Sequence, residues 1–160
     1  MRPPPLPAAS LLLLLAAGCA APLPVRKLEF SHTAFSSQGV VDLQRLTVDG
    51  QGRVSYGHGN ATETATLSAD DRDALARKLG RPDIIDAMRA RKAAPCGHET
   101  PDESRGITVV LGDLPPIKVS LGGMGDPNLG SAKPDDGNPD VCRLLEETQM
   151  GIRKRYFGGR

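Results

Sequence analysis

The sequence has no tryptophan, and its only aromatic side chains are two tyrosines and three phenylalanines in 160 residues. Its core must therefore rest on aliphatic side chains. Neither sign of charge is in excess: 20 Lys and Arg stand against 19 Asp and Glu. A balanced surface makes no overall field to draw a polyanion, so no nucleic-acid partner is expected. No apolar run reaches the about 20 residues that span a bilayer as a helix. Recognisable catalytic motifs are missing too. There is no nucleophile elbow. Gly122-Gly123-Met124-Gly125-Asp126 follows a strand-like run, but no Gly-Lys-Ser/Thr and no helix start come after it, so a phosphate loop is not expected. His32, His58 and His98 are scattered, without motif partners. Asp102 and Glu103 fall in a polar stretch where raised carboxyl pKa values are not expected. Nothing in the residues implies a cofactor.

The chain is rich in 18 glycines and 14 prolines, which assign much of it to turns and loops. At the N-terminus, Arg2 and the free amine make a short positive segment, and an apolar run extends from Leu11 to Ala17. Residues 1–18 therefore read as a signal peptide. The run ends in Ala16-Ala17-Gly18-Cys19, which resembles the lipobox of bacterial lipoproteins. The resemblance implies that Cys19 is lipidated, that the leader is cut just before it, and that its new amino group is acylated. It also implies attachment to the outer membrane, facing the periplasm, because Ala20 is not the Asp that typically holds such proteins at the inner membrane. One acyl chain binds a membrane only marginally, at roughly 10⁴ M⁻¹, whereas two or more anchor stably. The family usually has Leu where this chain has Ala16. The alternative is cleavage near Ala20 or Ala21, which removes Cys19 and leaves a soluble secreted form.

With Cys19 lipidated or removed, Cys96 and Cys142 remain, and two thiols in an oxidising compartment predict one disulfide. The competing use is a metal site built on Cys96-Gly97-His98-Glu99 with Cys142, but the spacing is not that of a standard zinc motif. Calcium is the other metal considered. Asp136, Asn138 and Asp140 place oxygens at alternate positions, with Glu147 at the twelfth. Val141 stands where the sharp turn of such a loop needs Gly, so a solvated loop ending in a helix cap is expected instead.

Residues 19–24 read as an extended tether and residues 25–160 as one α+β domain. Leu28 and Phe30 suggest a first strand. Val40 to Asp49 suggests a second, with Val40, Leu46 and Val48 on one face. Asp49-Gly50-Gln51-Gly52 supplies a turn into Arg53 to His58, whose Val54 and Tyr56 share a face. Thr62 to Leu67 is a further short strand. Ser68, with Asp71 three residues on, predicts a capped helix that buries Leu75 and Leu79 and stops at Gly80. A second helix is expected from Pro82, apolar through Ile84, Ile85 and Met88 and closed by Pro95. Cys96 to Arg105 reads as loop, and Ile107 to Leu111 and Ile117 to Leu121 as a second hairpin-like unit. Gly122 to Pro139 is too rich in Gly and Pro for regular structure. Asp140 then caps a last helix striped by Val141, Leu145, Thr148 and Ile152, with Cys142 in its first turn and Arg153-Lys154-Arg155 at its cationic end.

This order of strands, helical pair, strands and closing helix, with Asp49-Gly50 and the Ser68 cap, looks like small secreted bacterial domains of unknown function. It is also faintly similar to emfourin-type protease inhibitors, which would imply inhibition of a secreted protease. Two function classes follow. A non-enzymatic module held at the membrane, binding an envelope protein or polymer, predicts that Gly122 to Pro139 orders on a partner. An envelope hydrolase or metal-dependent enzyme predicts that His98 or His58 converges with carboxylates. The missing catalytic motifs favour the module.

Overall fold

The computed structural model describes residues 21–92, 96–97, 100–122 and 140–158. Its six strands are β1 (Val25–Ser36), β2 (Gly39–Asp49), β3 (Arg53–His58), β4 (Ala61–Thr66), β5 (Glu103–Leu111) and β6 (Ile117–Ser120). They form one sheet in the order β4-β3-β2-β1-β5-β6, with every neighbouring pair antiparallel. Among the described residues, three helices, α1 (Ala69–Leu79), α2 (Pro82–Ala90) and α3 (Val141–Phe157), complete an α+β fold.

Alternation along the strands sends one set of side chains toward the helices. Leu28 and Phe30 of β1 do so, as do Leu46 and Val48 of β2, Val54 and Tyr56 of β3, Ile107, Val109 and Leu111 of β5, and Ile117 and Val119 of β6. They form a single cluster with Leu75, Leu79, Ile84, Ile85, Met88, Leu145, Ile152 and Phe157. The opposite face carries Glu29, Ser31, Thr33, Thr47, Ser55 and Thr108, all half-buried. Thr47 and Ser55 pair there through their hydroxyls at 2.7 Å.

The turn at Asp49 works as its chemistry requires. The Asp49 carboxylate accepts from the amides of Gln51 and Arg53, and Gly52 takes φ +82°. At the start of α1, Ser68 Oγ accepts from Asp71 N at 3.1 Å. The returning half of a capping box is supplied from elsewhere: the Ser68 amide donates to the Tyr156 hydroxyl at 3.3 Å, and that hydroxyl donates to Asp71. Arg155 adds an ion pair to Asp71 at 3.0 Å, so the cationic end of α3 is tied to the first turn of α1. Gly80 closes α1 at a point where the tether crosses it. A Cβ there would sit 2.3 Å from the Leu23 carbonyl oxygen, and the Leu23 amide donates to the Gly80 carbonyl at 3.1 Å. Asp140 caps α3, accepting from Arg143 N at 3.2 Å.

Cys96 and Cys142 form a disulfide, with Cα atoms 5.7 Å apart. Cys96 also donates its amide to Ser120 O at 3.1 Å, so the bond joins the edge of β6 to the first turn of α3.

Four expectations need correction. β1 is far longer than Leu28 to Phe30, because it pairs with β2 and β5 at once. Val40 does not join Leu46 and Val48 in the core: it is 60% exposed, beyond a register shift that makes Val41 an extra residue opposite β1. α2 ends at Ala90 rather than at Pro95, where the Arg91 amide bonds back to Met88 O. β5 starts at Glu103, inside the stretch expected to be loop, because β1 supplies partners as far as Ala34.

Two tests follow. Replacing both Cys96 and Cys142 with Ala reopens a loop of 46 residues. In the chain-entropy model this lowers unfolding free energy by about 4 kcal/mol, read by urea denaturation. Asp71 is held below the ordinary carboxyl range, first by the Tyr156 hydrogen bond, then by Ser68 and Arg155. A lowered folded pKa gives stability that is present above the unfolded value and is lost as pH falls through the folded one. Asp71→Asn should therefore lower the melting temperature clearly at about pH 7 and much less at about pH 3.

Candidate functional site

β1 and β2 run on past the apolar core. In β1, His32 and Ala34 follow Leu28 and Phe30 on the same face. In β2, reading backwards, Gln44 and Asp42 follow Val48 and Leu46; in β3, His58 follows Tyr56; in β5, Arg105 and Glu103 follow Ile107. Each strand changes from apolar to polar at the same level. The result is a band of ionisable side chains across β5, β1, β2 and β3.

The band is hydrogen-bonded internally. His32 Nε2 lies 2.5 Å from Glu103 Oε1, and its Nδ1 lies 4.0 Å from Asp42 Oδ2. Asp42 also accepts from Gln44 Nε2 at 2.9 Å and meets His58 Nε2 at 3.2 Å. Acid and imidazole thus alternate in the order Glu103, His32, Asp42, His58. Beside them Arg105 pairs with Glu146 of α3 at 2.5 Å. The Tyr56 hydroxyl donates to Gln44 Oε1 at 3.3 Å, which links the band to the core. Tyr56 itself packs against Phe157, with the Arg153 guanidinium over its ring at 4.9 Å. Three members of the band are largely shielded, with side-chain exposures of 12% for His32, 16% for Glu103 and 13% for Arg105.

The outer end of the other face of the same hairpin is apolar. Ala34 pairs with Asp42 but Phe35 pairs with Val40, so Val41 is the extra residue of a bulge. Phe35 is 39%, Val40 60%, Val41 64% and Leu43 40% exposed. Four of the five exposed large apolar side chains among the described residues therefore sit on this one arm, and Met150 is the fifth. Thr33 to Val41 contains no charged side chain. Single exposed apolar residues are ordinary, but these four lie together.

Chemically, the band offers proton donors and acceptors that are already paired with one another. Among the described residues, neither His32 nor His58 hydrogen-bonds a hydroxyl or a thiol, and no group of three or more His, Cys, Asp or Glu is placed to hold a metal ion. Of the residues read as metal candidates, Asp140 serves as the cap of α3, while His98, Asp136 and Asn138 lie outside the described residues. Cys19 and residues 123–139 of the Gly/Pro-rich stretch lie outside them as well.

The sequence reading did not single out Asp42 or connect His32 to Glu103, nor did it find the arm. Glu103, in a stretch that reads as loop, begins β5 opposite Ala34 with its carboxylate on His32. The signal was present as strand parity, since His32 is in phase with Leu28 and Phe30, and Asp42 with Leu46 and Val48.

Band and tip separate experimentally. His32→Ala leaves two carboxylates facing each other without the imidazole between them and should cost about 1–3 kcal/mol of stability. Val40→Ser with Val41→Ser removes surface residues with little packing and should stay within about 0.5 kcal/mol. Urea denaturation at neutral pH reads both. Compared with models of known protein families and with curated protein sequences, the chain matches none.

Proposed function

We propose that the chain is an exported, lipid-anchored binding module of the cell envelope, non-enzymatic, which offers the β1–β2 arm to a protein partner. The observation that carries this reading is the exposed apolar surface of Phe35, Val40, Val41 and Leu43. Four side chains on a hairpin fall short of the about 800 Å² per partner that a face-to-face interface buries. A projecting apolar tip is covered efficiently only by a concave apolar pocket. A folded protein offers one; a hydrated envelope polymer does not.

The anchor fits the same picture. Cys19 lies six residues before Val25, where β1 begins, and the 12 residues of β1 span about 40 Å to the arm. Lipid at one end of β1 leaves the arm at the other end, away from the bilayer. The disulfide suits an oxidising compartment. No helix among the described residues is long and apolar enough to cross a membrane. The outer membrane, facing the periplasm, is the proposed site, from Ala20 after Cys19.

One observation favours a second reading, an envelope hydrolase: His58 does meet a carboxylate, Asp42, and His32 meets two. It ranks second because the described partners of both imidazoles are structural acids, with no nucleophile among them.

The mature protein extracted from membranes should have the intact mass of a chain starting at Cys19, with acyl chains added and two cysteines oxidised. Cys19→Ser should release it from the membrane fraction. A photo-crosslinking residue at position 40 should yield one discrete protein adduct in living cells, while the same residue at exposed position 118 yields none. An unacylated chain sinks the anchor, and absence of an adduct from position 40 sinks the partner surface.

A further inference from the structure

A second feature lies on the helical side, away from the arm. α1 and α3 are tied at one end by Asp71 with Arg155 and Tyr156. Beyond the tie, residues of both helices line a cleft of about 250 Å³. Its floor is Leu67, Leu75 and Ile152. Its walls are Ala74 on α1 and Gly151 on α3, each one turn along its helix from the residues of the tie.

Gly151 is the informative residue. Glycine inside a helix costs about 1 kcal/mol relative to alanine. Crowding within the chain does not require it here, because a Cβ at Gly151 would meet nothing within 4 Å. Its effect is to keep one wall of the cleft without a side chain, opposite the smallest chiral side chain on the other wall.

The rim charges are unequal in availability. Asp71 is held by Arg155, Tyr156 and Ser68, and Glu147 by Arg143 at 2.8 Å. Arg155 is used by Asp71. Lys78, at the end of the cleft opposite the tie, has no ion pair or hydrogen bond among the described residues. An apolar trough with one unpaired cation at its open end complements an aliphatic chain with an anionic head.

We propose that this cleft binds a free medium-chain aliphatic carboxylate, its chain lying between Ala74 and Gly151 and its head on Lys78. From Asp71 to Lys78, α1 rises about 10 Å, which matches a chain of about eight to ten carbons. The longer chains of bilayer lipids overrun it. This site is independent of the arm and of the anchor.

Amide NMR of the purified protein, titrated with decanoate below its micelle concentration, tests the assignment. Saturable shifts should centre on Ala74 and Gly151. Lys78→Gln should weaken decanoate by about tenfold and leave decanol unaffected. Gly151→Phe or Ala74→Phe should abolish binding of both while the melting temperature holds. Three results overturn the proposal: no shifts at Ala74 and Gly151 at millimolar decanoate, undiminished binding in both Phe variants, or shifts with phosphatidylglycerol vesicles but none with free decanoate. The last would assign the cleft to bilayer lipid instead.

Discussion

Strand β1 is hydrogen-bonded along both edges, to β2 from Lys27 to Ser36 and to β5 from Val25 to Ala34. That double ladder places the core parity, the polar band and the arm. It sets the parity that turns Leu28 and Phe30 toward the helices, and it holds His32 between Asp42 and Glu103, which come from strands on its two sides. It also carries the hairpin out past the cover of the helices. A one-residue slip on either edge would turn core side chains to solvent, so the apolar face fixes the register and the register then fixes the polar band.

The described helices pack against the apolar face of the sheet, and two devices hold them there. At one end of α3, the disulfide joins its first turn to the segment beside β6. At the other, Tyr156 and Arg155 grip the first turn of α1 through Asp71. Both ends of α3 are thus tied, and among the described residues Phe35, Val40, Val41 and Leu43 of the arm remain exposed. The proposed binding surface thus follows from where the covering layer stops.

Much of the fold was legible in local chemistry. Asp49 and Gly52 declared their turn, Ser68 its helix, Asp140 the last helix, and two leftover cysteines their bond. These signals act over four residues or through a covalent requirement. What was illegible depended on long-range register. Nothing near Val40 announces that a bulge moves it out of the core, and nothing near Glu103 says that β1 will extend far enough to make it a strand. His32, Asp42 and His58 lie ten and sixteen residues apart and acquire meaning only when adjacent strands align them. The half of the capping box that comes from Tyr156 was hidden for the same reason, since its partner lies 88 residues away.

Amide hydrogen exchange along β1 and β2 tests the central claim most directly. If the double ladder continues past the core and the His32 band stiffens its root, protection extends outward through His32 and Thr33 and their partners Gln44 and Leu43. It should decline only at the turn near Gln38. Protection that stops at Phe30 and Leu46, with everything beyond exchanging as freely as a loop, would mean that the arm is not an extension of the sheet, and the surface assigned to it would lose its basis.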